Sequence, residues 1–231
     1  MERVVLITGA CGGLGKALAG AFLAAGDRVV AVCRSEERLS ALRAALASDR
    51  LEAIPADVTD EAAVDALFRQ VLDRHGRLDV LVHGAGEFAL GAVEESPVAV
   101  FDALLAANAR STFLLTRAAA RVMKRNGKGR IIHVSARQAL RGEALFGPFS
   151  ASKSAMDRIT EAAAAELRDD GITVNAVLPA TIDTPKNRQA MPEADTGRWI
   201  DPEDVARVVL FLASDDARAV TGALIPIHGR Q

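Results

Sequence analysis

Short, continuous apolar runs alternate along this chain with longer stretches whose apolar positions recur every three or four residues. Runs such as Val4-Val5-Leu6-Ile7 are too short for helices and read as strands covered on both faces. The pattern predicts strands at Val4–Thr8, Arg28–Cys33, Glu52–Pro55, Val80–His83, Arg130–Ser135, Thr173–Leu178 and Ala223–Ile227. Helices are predicted near 14–25, 36–47, 61–75, 98–125, 149–169 and 202–213. Asp60 and Gly76 bracket the third as N-cap and stop signal. Asp201 followed by Pro202 opens the last.

Strict strand–helix alternation implies a parallel sheet with right-handed crossovers and helices on both faces. Ligands in such sheets bind at the carboxyl ends of the strands, so the residues ending each strand are the ones to read for chemistry. The 231 residues carry no internal repeat or linker-like tract, which predicts one domain over 1–231. A net charge of −2 gives no electrostatic case for a nucleic-acid partner. No continuous apolar run approaches the roughly 18–20 residues of a membrane span. The opening Met-Glu-Arg-Val-Val-Leu-Ile-Thr lacks the layout of a signal peptide, so a cytoplasmic location is expected. The four histidines and two cysteines show no metal-ligand spacing, so no metal is expected.

The first strand runs into Thr8-Gly9-Ala10-Cys11-Gly12-Gly13-Leu14-Gly15 and then into a helix. Glycines at this point allow a tight turn and let a pyrophosphate approach the helix N-terminus, where free N–H groups and the dipole favour anions. The alternative is a tight turn with no ligand. The second strand ends in Cys33-Arg34-Ser35. An NAD site places a carboxylate about 20 residues past the glycines, for the ribose 2′-hydroxyl. Here Arg34 instead offers a guanidinium fork to a 2′-phosphate, and Ser35 a hydroxyl, which predicts NADP(H). A solvated Arg34 with Ser35 capping the next helix is the plainer alternative. Glu36 and Glu37 weaken the positive field.

These residues resemble the short-chain dehydrogenase/reductase family over nearly the whole chain. That resemblance implies a single-domain Rossmann α/β fold with a doubly wound parallel sheet of about seven strands. The family's glycine pattern matches Thr8, Gly9, Gly13 and Gly15, with Leu14 between the last two. Its adenine-contacting acid matches Asp57, followed by Val58. Its loop after the fourth strand appears as His83-Gly84-Ala85-Gly86, with both usual asparagines replaced. Its segment after the sixth strand appears as Pro179-Ala180-Thr181-Ile182-Asp183-Thr184, with alanine for the usual glycine. The resemblance implies that Ile182 and Thr184 hold the carboxamide end of the nicotinamide.

The same resemblance implies hydride transfer between nicotinamide and a carbonyl carbon. In the family a tyrosine protonates the oxygen, and a lysine four residues later lowers its pKa and binds ribose. A strand-end serine holds the substrate oxygen, and an asparagine supports a water relay. Asn108, Ser135 and Lys153 fill three of these positions; the fourth holds Phe149. The chain contains no tyrosine at all. Phenylalanine has no ionisable proton, and a positioned general acid is worth roughly 10²–10⁴ in rate. Three explanations stand open: an inactivated variant, an imine-like or quinonoid substrate needing little acid help, or NADP(H) binding without turnover.

The stretch Asp183–Arg188 with Met191–Asp195 and Trp199 is similar to the dihydropteridine reductase branch of the family, and 185–200 is expected to form a substrate lid. Trp199 reads as a buried lid anchor or a substrate-stacking ring. His133 is a substitute acid or a core residue; His83 contacts adenosine or fills a gap. Cys11 and Cys33 sit beside the adenosine site, as two packed thiols or as a pair whose oxidation blocks the cofactor. Arg141 pairs with a substrate carboxylate or with Glu143, on the loop that also carries Arg137. The alanine-rich helices 98–125 and 149–169 imply, by the resemblance, a homodimer or homotetramer.

Overall fold

The computed structural model describes residues 2–230. Seven parallel strands form one sheet: β1 (Val4–Thr8), β2 (Arg28–Cys33), β3 (Leu51–Pro55), β4 (Val80–His83), β5 (Gly129–Val134), β6 (Ile172–Pro179) and β7 (Leu224–Ile227). Their spatial order is β3-β2-β1-β4-β5-β6-β7. The direction of winding reverses between β1 and β4, and a doubly wound sheet opens its ligand crevice at that reversal.

Alternate residues along each strand feed two cores. Leu6, Val30, Val32, Leu81 and Ile131 pack on one face against α3 (Glu61–His75), α5 (Ser111–Asn126) and α6 (Gly147–Leu167). Val5, Ile7, Val29, Ala31, Val82 and Ile132 pack on the other against α1 (Gly13–Ala24), α2 (Glu36–Leu46) and α8 (Pro202–Leu212). Each fully buried side chain of the size of Phe22 or Leu18 contributes roughly 1.5–3 kcal/mol.

Local chemistry sets the helix ends. Asp60 accepts from the Ala63 N–H at the head of α3, and Gly76 ends the helix at φ +70°. Asp201 caps α8 by accepting from Glu203 N–H. Pro148 lies in the first turn of α6, where its missing N–H costs nothing, so the helix begins two residues before the predicted start.

Two features depart from the sequence pattern. The helix predicted over 98–125 is α4 (Val98–Leu104), a π-helical turn at Leu105–Arg110, and then α5. By length and composition Val98–Asn126 would pass for a membrane span, but Leu114, Leu115, Ala118 and Val122 seat it in the core. The expected lid is partly regular: Thr184 caps a short helix α7 (Pro185–Ala190) through Asn187 N–H. A parallel bridge between Ile182 and Ile200 closes its base.

Candidate active site

At the reversal point, Gly9 turns the chain at φ +69°, and a Cβ there would meet the backbone of Gly84 and Ala85 at 2.7 Å. A Cβ on Gly15 would strike the Gly9 carbonyl oxygen and Ala10 backbone, and one on Gly13 would meet the Thr184 side chain at 2.6 Å. The three glycines therefore draw α1, the loop after β4 and the segment after β6 together. No side chain caps α1, so its leading N–H groups are available to an anion.

Beside this turn opens a cleft of about 410 Å³. Of the residues predicted to bind a cofactor, Gly9, Arg34, Ser35, Asp57, Val58, Ala85 and Gly86 line it. Arg34 is 70% exposed and pairs with Glu87 across the cleft at 3.2 Å. Ser35 lines the cleft and also caps α2 by accepting from Arg38 N–H. The capping reading of Ser35 is met, and the residue also borders the cleft. Asp57 accepts from the Thr59 N–H and hydroxyl, which hold its carboxyl below the usual range, with Arg34 helping. Glu36 is turned away to Arg43, so it competes less for Arg34 than its position in sequence suggests.

Other predicted residues stand behind the cleft wall. Thr8 is fully buried; its hydroxyl meets His83 Nδ1 at 2.8 Å and accepts from Ala85 N–H at 3.3 Å. It supports the loop and does not line the cleft. Leu14 and Ile182 pack against the core. Pro179 ends β6 opposite Ile227, and Thr184 rests on Gly13.

The catalytic candidates lie deeper. Lys153 is buried, donates to the Val134 carbonyl at 2.9 Å, and is pushed down by burial to about 8, against the pull of Asp157. Asn108 sits on the π-helical turn, a feature frequent at functional sites. Its Oδ1 accepts from Glu87 N–H, and its Nδ2 donates to the Glu87 carbonyl and Ser152 Oγ. A Cβ on Gly86 would lie 2.6 Å from Asn108 Oδ1 and 3.3 Å from Lys153 Nζ, so glycine there lets all three meet. Ser135 follows β5 directly; its Oγ is buried without a hydrogen bond. Phe149 is 6% exposed and packs with Leu104 and Ala136. The Phe88 ring stands edge-on to it at 4.9 Å, and Phe146 is 6.5 Å away.

His133 is a core residue. Both ring nitrogens meet threonine hydroxyls, Thr116 at 3.0 Å and Thr160 at 2.7 Å, and burial drives its pKa to about 3. That removes it as a substitute acid. His83 fills a gap between Thr8 and Ser111 and does not border the cleft. Trp199 is half-buried, and the residue sealing the lid base is Ile200. Arg141 and Glu143 are exposed. No cluster of metal-ligating side chains occurs among the described residues.

Sequence reasoning missed four residues. Arg38 and Lys186 line the cleft with Arg34, adding positive charge, and Glu87 closes the Arg34 ion pair. Arg38 lies in the first turn of α2, whose N-cap Ser35 follows Arg34 directly. The fourth is Asp157, one turn after Lys153 on the buried face of α6. It is 1% exposed and neither carboxyl oxygen makes a hydrogen bond of regular geometry. Burial pushes its pKa up to about 6, opposed by the nearby Ser135 hydroxyl, Arg158 and Lys153.

The chain is similar to known proteins over nearly its whole length. Residues 3–195 match the sequence profile described as short chain dehydrogenase. The chain is 36% identical over 239 residues to the (2S)-[(R)-hydroxy(phenyl)methyl]succinyl-CoA dehydrogenase subunit BbsD of Thauera aromatica, covering 99% of this chain and 96% of the relative. Among solved structures, ElxO with NADP bound superposes with a TM-score of 0.94 at 28% identity, over 99% of this chain and 98% of that one. A tyrosine-to-phenylalanine variant of ElxO with NADPH bound gives 0.93 at 29%, over 99% and 98%.

Proposed function

The chain belongs to the short-chain dehydrogenase family, and from that premise we propose that it is an NADP(H)-dependent oxidoreductase acting on a small carbonyl or an imine-like or quinonoid acceptor, with proton delivery altered at Phe149. The observation that carries this reading is Phe149 itself, one helical turn before a buried Lys153 and packed beside Ala136, the neighbour of Ser135.

The residues fit the cofactor. The glycine turn leaves the close backbone approach that a pyrophosphate needs, and a Cβ at Gly9 or Gly15 would fill it. Arg34 and Arg38 offer two guanidinium groups to a 2′-phosphate at the end of β2. NADP bound to the structurally similar ElxO supports the same choice. When bound, the cofactor supplies hydride. Lys153 would hold the ribose through its ammonium, and Asn108 would fix the Glu87 backbone beside it. Ser135 would hold the acceptor's oxygen once a ligand turns its hydroxyl. Phe149 shapes the site and gives no proton.

Partner subunits are proposed on α5 and α6. Phe113 is 51% exposed on α5. In the Ala162–Ala165 run, Ala162 and Ala165 face outward, which suits close helix packing in a homodimer or homotetramer.

A second reading, NADP(H) binding without turnover, is favoured by one specific observation: Phe88 and Phe146 cover Phe149, and Ser135 Oγ is buried. Phe149→Tyr separates the two. NADPH absorbance is followed with ketone and quinonoid acceptors for both proteins. The reductase reading expects a gain on the order of 10²–10⁴ on a ketone. No gain, with tight NADPH binding retained, refutes it in favour of the binding protein.

A further inference from the structure

The two cysteines meet at the mouth of the cleft. Cys11 lies in the glycine turn after β1, and Cys33 is the last residue of β2. The strands run side by side, with Thr8 opposite Val32 and the Ala10 N–H bonded to the Val32 carbonyl. Their sulfurs are 2.7 Å apart. That is only about 0.7 Å longer than a disulfide bond, so little backbone movement separates the thiol pair from the bonded one. Both side chains are half-buried and line the cleft, where a small oxidant can reach them.

We propose that Cys11 and Cys33 form a reversible intramolecular disulfide whose formation weakens cofactor binding at the 2′-phosphate end of the cleft.

The hydrogen bonds around the pair orient the chemistry. Cys33 Sγ lies 3.4 Å from the Ser35 carbonyl as donor, which leaves Cys11 as the donor to Cys33. Burial and that contact push the Cys11 thiol up to about 12, which disfavours Cys11 as the first attacking sulfur. With hydrogen peroxide as oxidant, Cys33 releases its proton and its sulfur attacks one peroxide oxygen. An S–O bond forms, the O–O bond breaks, and the departing hydroxide takes up the proton released by Cys33. The Cys11 sulfur then displaces hydroxide from the sulfenic acid and gives it the second proton. Two thiols lose two electrons, and the peroxide becomes two waters.

The consequence follows from what the pair touches. The Cys11 carbonyl accepts from Arg38 Nη2 at 2.8 Å, and Ser35 caps α2 next to Arg34. Closing the S–S bond ties the glycine turn to the end of β2 and withdraws the donor from Ser35. Arg34, Ser35 and Arg38 are thereby held in a geometry set by the disulfide and not by the ligand. This consequence rests on the proposed NADP(H) site; the disulfide itself does not.

The test uses the full chain treated with a small excess of hydrogen peroxide, then denatured and alkylated with iodoacetamide. Mass spectrometry is expected to show a monomer two hydrogens lighter with no alkylated cysteine, and a non-reduced digest with the Cys11 and Cys33 peptides linked. Dithiothreitol should restore two alkylation sites, and Cys33→Ser should form no linked peptide. Two alkylatable thiols after treatment, cross-linked dimers, or sulfinic acid as the main product would overturn the proposal. Fluorescence titration should find NADPH bound at least tenfold more weakly by the oxidised protein. Equal affinities would overturn the proposed effect on the cleft. A disulfide that forms in a protein with no NADPH affinity when reduced would sink the cofactor reading and leave the disulfide standing.

Discussion

Asp157→Asn should stabilise this protein at neutral pH and leave it unchanged near pH 4. In the fold the carboxyl is buried on α6 with no regular hydrogen bond, and its pKa rises from 3.8 to about 6. A carboxyl whose folded pKa exceeds its unfolded one binds more protons in the native state between those values. Stability therefore falls as pH rises through that window, and above pH 6 the full cost is present. A shift of about two units corresponds to about 3 kcal/mol. Asparagine keeps the shape and removes the charge. Part of the gain is given back, because the Asp157 charge helps keep buried Lys153 protonated. A net gain of about 2 kcal/mol remains, or about 4–8 °C in melting temperature for a chain of this size. The assay is thermal unfolding of both proteins from pH 4 to 8. Equal shifts at every pH, or a loss of stability at pH 7.5, would refute the reasoning.

Arg34→Ala and Arg38→Ala should each weaken NADPH binding by about 10–100-fold, the worth of a charge-assisted hydrogen bond, and leave NADH nearly unchanged. Titrations with both nucleotides check this, and equal losses would remove the 2′-phosphate assignment. Gly15→Ala forces a methyl into the Gly9 and Ala10 backbone, so it should cost at least 1–3 kcal/mol in denaturant unfolding and abolish cofactor binding. Gly13→Ala drives a methyl against the Cγ2 and Cβ of Thr184, so it should cost about 1–3 kcal/mol, and proteolysis within 185–200 should become faster as Thr184 is displaced.

Much of the architecture is legible in the sequence. The apolar runs locate every strand to within one residue at each end; β1 and β4, buried along their whole length, are the clearest, while β3 and β7 are partly exposed. Glycines and the Arg34-Ser35 pair mark the cleft because backbone approach and charge leave local signatures. The π-helical turn carrying Asn108 is invisible, since one extra residue in a helix barely disturbs a periodic pattern. Thr8 matches a motif yet turns inward to His83, a choice made by neighbours distant in the chain. Asp157 reads as an ordinary helix acid until the packing of α6 shows which way it points. Phe88 covers Phe149 from a loop with no periodicity, so nothing in the sequence pairs the two rings.

The seat of Thr184 on Gly13 has a consequence for how such a protein acquires new substrates. The stretch beyond Thr184 is pegged at its start to the head of α1 and latched at its far end by the Ile182–Ile200 bridge. Between those two fixings, with Lys186 kept on the cleft wall and Ile200 in its bridge, 188–199 can be rewritten and leave the cleft lining as it is. The enzyme behaves like a tool handle with an interchangeable bit, and grafting that stretch from a relative is the natural way to retool it.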